Sequence, residues 1–425
     1  MIWAKQRRND NHALPVRNGS DAQIKEMEYT MIYADNAATT KTCSTAQQAM
    51  LDAMEQFWGN PSSLHTPGQQ AKEALQTARE AVARAIGAQP REIYFTSGGS
   101  EADNQAIVSA AKFGARRGKK HLITTAIEHH AVLHTMDQLS KEGFEVTLVP
   151  VDESGIVKVE DVAAAIREDT ALVSVMYANN EIGTIQPIAE IGALCRERKI
   201  PFHTDAVQAV GHLPIDVNAQ NIDMLSLSGH KFHGPRGVGA LYVRRGTPLL
   251  TFIHGGAQER GFRAGTENLP AIMGMAAALE DACAHMEEND AHAAGLRNAL
   301  IEKLSAIPHS ALNGDRERRL PGNVNFCFEG IEGESLLLLL DDKGIAASSG
   351  SACTSGSLDP SHVLLAIGRP HEVAHGSLRL TLDRDNTMED VETIAAATTE
   401  VVEYLRNMSP VWKALQRGER DYVIQ

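Results

Sequence analysis

The run Ser226-Leu227-Ser228-Gly229-His230-Lys231 sets a lysine directly after a short apolar strand and ahead of a turn carrying Gly234, Gly237 and Gly239. An amine in that place can condense with a cofactor aldehyde once a partly desolvated pocket favours its neutral form. A solvated lysine has the same local sequence, so the assignment rests on what accompanies it. Upstream, an apolar strand from Ile200 ends in Thr204-Asp205-Ala206-Val207-Gln208. A carboxylate at a strand's carboxyl end suits the ring nitrogen of pyridoxal phosphate, whose ring must act as an electron sink. Further upstream, Glu92 to Thr96 reads as a strand, Ser97 to Ser100 as a tight turn and Glu101 to Ile107 as the start of a helix. Free amides and a helix dipole meeting at glycine make a seat for a phosphate. A helix merely N-capped by Ser100 would read the same way.

A second kind of chemistry lies downstream, in Ser348-Ser349-Gly350-Ser351-Ala352-Cys353-Thr354-Ser355-Gly356-Ser357. Such small polar residues bury little apolar area, so Cys353 is presented on a loop rather than packed, and it is a candidate nucleophile. An incidental surface thiol is the alternative. Cys195, after Ile191-Gly192-Ala193-Leu194, and Cys327, between Phe326 and Phe328, read instead as structural core residues.

These segments, with Asp35 to Thr40, Gly59 to His65, Ala178 to Thr184 and Arg263 to Asn268, resemble the cysteine desulfurases, pyridoxal-phosphate enzymes that strip sulfur from L-cysteine for iron–sulfur cluster assembly. The resemblance runs from about Tyr33 to about Glu403, and the ordered set is far more specific than any one motif. It implies Lys231 as the Schiff-base and proton-carrying residue, Asp205 as partner of the ring nitrogen and Gln208 as donor to the ring hydroxyl. His129 is similar to the histidine that stacks on the ring and moves a proton. Gly99, Ser100, Ser228 and His230 are similar to phosphate or cofactor contacts, and Thr266 to a residue reaching the phosphate from the second subunit of a homodimer. Asn36, Asn180 and Arg379 are similar to the substrate clamp, and Asn180 also to a cofactor contact. Cys353 would take the sulfur as a persulfide and pass it to an iron–sulfur scaffold protein or another acceptor. No resident metal is implied, with Cys353 at most a transient iron–sulfur ligand. His129 with Glu128 and His130 lacks the spaced ligands of a metal site. The long cysteine loop places the chain in the group that serves scaffold-directed assembly, nearest its nitrogen-fixation type. The run Leu378-Arg379-Leu380-Thr381-Leu382-Asp383-Arg384 carries a leucine and an aspartate where the family usually has an aromatic and a small residue. Selenocysteine lyase, or another aminotransferase or lyase of the same fold, is the alternative activity; an aminotransferase would have no use for Cys353.

The elements that must position these residues follow from hydrophobic patterning. Apolar strands at Leu122 to Ala126, Glu145 to Val149, Leu172 to Tyr177, Ile200 to Thr204 and Met224 to Leu227 alternate with helical stretches such as Val159 to Arg167 and Ile188 to Arg198. That alternation predicts an α/β fold with a mostly parallel sheet covered on both faces and ligands at the strands' carboxyl ends. The resemblance implies the pyridoxal-phosphate-dependent transferase fold type I, with a seven-stranded sheet and a smaller α/β domain. Residues 45–290 would form the large cofactor-binding domain, and 31–44 with 291–425 the small domain carrying the cysteine loop. A long helical stretch from Pro270 to Leu304 would link them. Residues 1–30 read as a poorly ordered extension, without a signal peptide's apolar run and too acidic for a mitochondrial presequence.

A net charge of −14 over 425 residues, with no basic run, argues against a nucleic-acid partner. No apolar stretch reaches membrane-spanning length, Leu336 to Leu340 being too short. The 5 cysteines are odd in number and widely spaced, which excludes a disulfide framework. Persulfide chemistry needs a reducing compartment, so the cytoplasm is expected.

Overall fold

The computed structural model describes residues 31–349 and 360–424; the expected N-terminal extension and Cys353 lie outside the described residues. In chain order the elements begin with β1 (Ile32–Tyr33), α1 (Ser44–Gln56), α2 (Thr66–Ala85), β2 (Ile93–Thr96), α3 (Gly99–Ala115), β3 (His121–Thr125), α4 (His130–Lys141) and β4 (Glu145–Val149). There follow α5 (Val159–Ala165), β5 (Thr170–Ser174), α6 (Ile188–Arg198), β6 (Phe202–Asp205), β7 (Met224–Ser228), β8 (Gly239–Val243), α7 (Leu269–Ala284) and α8 (Met286–Ser305). The last part comprises β9 (Ser310–Leu312), β10 (Asn323–Phe328), α9 (Gly333–Asp342), β11 (Ile345–Ala346), α10 (His362–Ala366), α11 (His371–Ala374), β12 (Ser377–Thr381), α12 (Met388–Met408) and α13 (Pro410–Gln416).

A 7-stranded sheet runs in the order β2-β8-β7-β6-β5-β3-β4, with β8 alone antiparallel to its neighbours. Its inner strands read as unbroken buried runs, Thr170-Ala171-Leu172-Val173-Ser174 for example, because helices cover both faces. The expected strand over 172–177 is shorter at its carboxyl end. Beyond Ser174 the chain drifts from the ladder, although Val175 and Tyr177 still donate to the carbonyls of His203 and Asp205. A 3-stranded antiparallel sheet, β12-β10-β9, and the parallel pair β1-β11 stand apart from the large sheet. Their apolar faces close a separate core, with Leu296, Phe326, Phe328, Leu380, Ile394 and Val402 among its members.

The single helical stretch expected over Pro270 to Leu304 is two helices. His285 leaves helical geometry at φ −112° and ψ 14°, and both its N–H and Nδ1 lie within hydrogen-bond distance of the Asp281 carbonyl, so the ladder is capped there. The alternative reading of Ser100 as a helix cap does not hold: α3 is capped by Gly98, and Ser100 is its second residue.

One buried ion pair braces the edge of the large sheet. Arg79 donates from both guanidinium nitrogens to the Glu259 carboxylate at 2.7 Å, and the Phe95 N–H donates to the same carboxylate at 3.0 Å. Breaking such a pair from one side strands a buried charge. Glu259→Gln is expected to destabilise the fold by about 3 kcal/mol or more, read as a drop in the denaturant midpoint with unchanged slope.

Candidate active site

Most of the site is delivered by segments that leave the large sheet at one edge, joined by the Ala37-Ala38 segment and by Arg379 of the small sheet. The first is the β2–α3 turn. Gly98 sits at φ 156° and ψ −177°, a region open only to glycine without strain. The first bond of α3 runs from the Ala102 N–H to the Gly98 carbonyl, so the amides of Gly99, Ser100 and Glu101 precede it at the positive end of the helix. A Cβ on Gly99 would stand 2.5 Å from Val207 Cγ2, which is why the backbone can form the floor of a cavity here. The nearby Glu101 does not spoil an anion seat. Its carboxylate is tied to Arg263 at 2.9 Å and to the Ser97 N–H at 2.8 Å.

The strand ends supply the rest. Asp205, the last residue of β6, is buried and accepts from the Val207 N–H at 3.0 Å. Burial pushes its carboxyl up to about 6, against the pull of that bond and of Lys231. Lys231 closes a short 3-10 turn, Gly229–Lys231, that continues β7. Its ammonium donates to the carbonyls of Ala37 and, at 2.9 Å, Ala38. Gln208 donates to the same Ala37 carbonyl at 2.9 Å. His230 pairs with the Thr39 hydroxyl at 3.1 Å, and burial with the Lys231 charge holds its ring down to about 4.

His129 caps α4, and its Nδ1 accepts from the Ala131 N–H at 3.1 Å. Burial first, then the charge of Lys231, pulls its pKa down to about 4. The ring is therefore neutral near pH 7, and because Nδ1 is the acceptor its proton sits on Nε2. Arg379, in β12, is 2% exposed. Its guanidinium donates to Asp35 at 2.8 Å and to the Asn180 carbonyl at 3.3 Å, and its Nε is buried without a hydrogen-bond partner among the described residues. The departures near Arg379 have places in the packing. Leu378, Leu380 and Leu382 all fill the small core, and Asp383 pairs with His233 at 3.0 Å.

Gly99, Ser100, His129, Asn180, Asp205, Gln208, Ser228, His230, Lys231 and Arg379 all line one cavity of about 280 Å³. Two expected residues do not. Asn36 donates to the Thr381 carbonyl at 2.9 Å and lines the adjoining recess behind Lys231. Thr266 is exposed and lines a different recess, with Phe95, Ser97 and Glu267. Both ends of the cysteine segment stand at the site. The backbone of Ser348 exchanges hydrogen bonds with that of Arg379, and Ser361 donates to the buried Glu181, the neighbour of Asn180. Asp103 also lines the cavity and is missing from the sequence reading. Its signal was an acid on the buried stripe Ala102, Ala106, Ile107 and Ala110 of α3.

The donor set suits a planar ring with a basic nitrogen, an aldehyde and a phosphate. The buried Asp205 carboxylate, the N-terminal end of α3 and the Lys231 side chain line the same cavity. The residues present thus fit pyridoxal phosphate.

Over residues 32–394 the chain matches the aminotransferase class-V family. Among its relatives, the cysteine desulfurase IscS of Methanosarcina thermophila is 56% identical over 384 residues, 90% of this chain and 95% of that one. The protein of the same name from Clostridium botulinum strain Hall is 54% identical over 393 residues, 92% of this chain and 99% of that one. A solved NifS-like protein superposes with a TM-score of 0.83 at 39% identity, covering 88% of this chain and 100% of the other. Another, from Rickettsia africae, gives a TM-score of 0.80 at 31% identity, covering 88% and 99%.

Proposed function

The chain belongs to the class-V aminotransferase family and, within it, to the cysteine desulfurases, and from that premise we propose how its own residues convert L-cysteine to L-alanine. The enzyme depends on pyridoxal 5'-phosphate, which when bound supplies an aldehyde for the substrate amine and a ring that disperses the electrons of a broken bond at the α carbon. The observation that carries the assignment is the convergence of an amine, a buried carboxylate, an anion seat and a guanidinium on one cavity.

Lys231 would hold the cofactor through Nζ and would take and return a proton at that atom. Asp205 would accept from the ring N–H, and the Gly99 and Ser100 amides with Ser228 and His230 would receive the phosphate. His129, with its exchangeable proton on Nε2, would move a proton beside the ring. Arg379 binds the substrate carboxylate with two parallel hydrogen bonds, assisted by Asn180 and oriented by Asp35. The Cys353 thiolate attacks the substrate sulfur: an S–S bond forms, the C–S bond breaks with its electrons going to carbon, and a proton then completes alanine. Cys353 is five Cα-to-Cα steps from Ser348, a covalent reach of at most about 18 Å, and the Ser348 backbone is hydrogen-bonded to that of Arg379.

In the same proposal, Thr266 serves the phosphate of a second copy in a homodimer, which its exposure outside its own cavity supports. Residues 45–290 act as the cofactor-binding domain, and 31–44 with 291–425 as the cysteine-bearing one. The sulfur acceptor is a cytoplasmic iron–sulfur scaffold protein; among the described residues no helix is long and apolar enough to cross a membrane.

The test is alanine and sulfide formation from L-cysteine in the presence of a reductant, beside a selenocysteine control; absence of alanine would overturn the proposal. Arg379→Lys keeps a charge but loses the fork, so KM for L-cysteine should rise at least about tenfold, the worth of one charge-assisted bond. The visible absorption of the bound cofactor should be unaffected by that change. Cofactor affinity should also depend on pH. Below about 6 the empty site's Asp205 takes up a proton and can no longer pair with a protonated ring nitrogen, so binding weakens as pH falls through that value. Titration of the apoenzyme by fluorescence should show this, and Asp205→Asn should abolish the dependence.

A further inference from the structure

Asp103, on the first turns of α3, is 1% exposed and has no role in the chemistry above. Carboxylate oxygens of Asp103 and Asp205 and a ring nitrogen of His129 lie within 4.8 Å of one another in the same cavity. One oxygen of Asp103, Oδ1, is buried without a hydrogen-bond partner among the described residues. It faces His203 Nε2 at 3.6 Å. That imidazole is already engaged on both sides, with Ser226 at 3.0 Å and Ser174 at 2.8 Å. Burial holds the His203 ring down to about 3, so it brings no compensating charge. The other titratable groups around Asp103 are Glu128, itself pushed up to about 8 by burial, and the neutral His129. Two cations line the cavity, Lys231 and Arg379; Lys231 bears on Asp205, and Arg379 is paired with Asp35.

Two carboxylates this close in a dry site do not both ionise. We propose that Asp103 and Asp205 form a carboxyl dyad that shares one proton, and that Asp103 holds it. Asp103 is thus a positioning residue. Kept neutral, it leaves the negative charge on Asp205, where the ring nitrogen of the cofactor needs it. Burial, reinforced by Asp205, raises the carboxyl of Asp103 far above the usual range, in keeping with this assignment. The orphaned oxygen fits as well, because a neutral acid costs less to bury than an unpaired anion. The inference rests on the proposed orientation of pyridoxal phosphate toward Asp205.

Infrared spectroscopy of the holoenzyme at about pH 8, well above the ordinary aspartate range, tests it with ¹³C-labelled aspartate, which leaves Glu128 silent. A label-sensitive protonated-carboxyl band is expected in the wild-type protein and should vanish in Asp103→Asn. Should that variant fail to fold, Asp103→Glu keeps the acid while removing it from the label, with the same expected loss. In the visible spectrum, an alkaline step in the pH titration of the bound cofactor should be present in the wild type and absent from Asp103→Asn. No labelled band in the wild type, or a band and an alkaline step that survive the substitution, would overturn the dyad. A protein that takes up the cofactor with its visible band yet lacks the infrared signal refutes the dyad alone. One that never acquires the visible band refutes the cofactor placement beneath it.

Discussion

Lys231→Ala should leave a folded protein that lacks the visible absorption of a covalently held cofactor and makes alanine from cysteine at least about 10³-fold more slowly, a barrier increase of about 4 kcal/mol. The expectation comes from where the side chain ends. The turn after β7 points the amine into the cavity against the carbonyls of Ala37 and Ala38, and the core begins at the next residue, the fully buried Phe232. Shortening residue 231 therefore removes the amine without opening a hole in the core. Pyridoxal phosphate should still associate reversibly through Asp205 and the amides of α3. Absorbance of the purified variant, before and after dialysis, checks both statements. A variant that keeps the visible band after dialysis would assign the anchor to another residue.

Cys353→Ala should separate substrate capture from sulfur removal. Arg379, Asn180 and Lys231 are untouched, so L-cysteine should still perturb the cofactor's spectrum. With no thiolate to receive the sulfur, alanine formation should fall at least about 10³-fold. Trapping with a thiol alkylating reagent, followed by mass analysis, should find a persulfide on residue 353 of the wild type and none on the variant. The two buried cysteines are poor substitutes: burial pushes the thiols of Cys195 and Cys327 up to about 12 and about 11, so neither offers a thiolate near neutral pH. Undiminished alanine formation by Cys353→Ala would remove residue 353 from the sulfur-transfer step.

Lys231, Asp205 and the Gly98-Gly99 turn were legible from sequence because each follows a short apolar strand, and strand ends in a parallel α/β sheet share one edge. Local chemistry and the period of the pattern were sufficient there. The sequence stretch from Pro270 to Leu304 misled for the opposite reason. Nothing in the pattern marks His285 as a break, because the break comes from its hydrogen bonds to Asp281 rather than from a glycine or proline.

What the sequence determined by itself was a set of candidate groups, the α/β alternation and the order in which strands deliver those groups, since these depend on residue type and on spacing along the chain. Only the tertiary structure decided which groups share a cavity: it put Asn36 and Thr266 outside, brought Arg379 from the small sheet to the end of the large one, and set Asp103 beside Asp205. The physical reason is distance through space. Residues 103 and 205, or 35 and 379, carry no mutual signature in a single sequence, and their coupling exists only once packing has removed the water between them and left charge and proton to be shared.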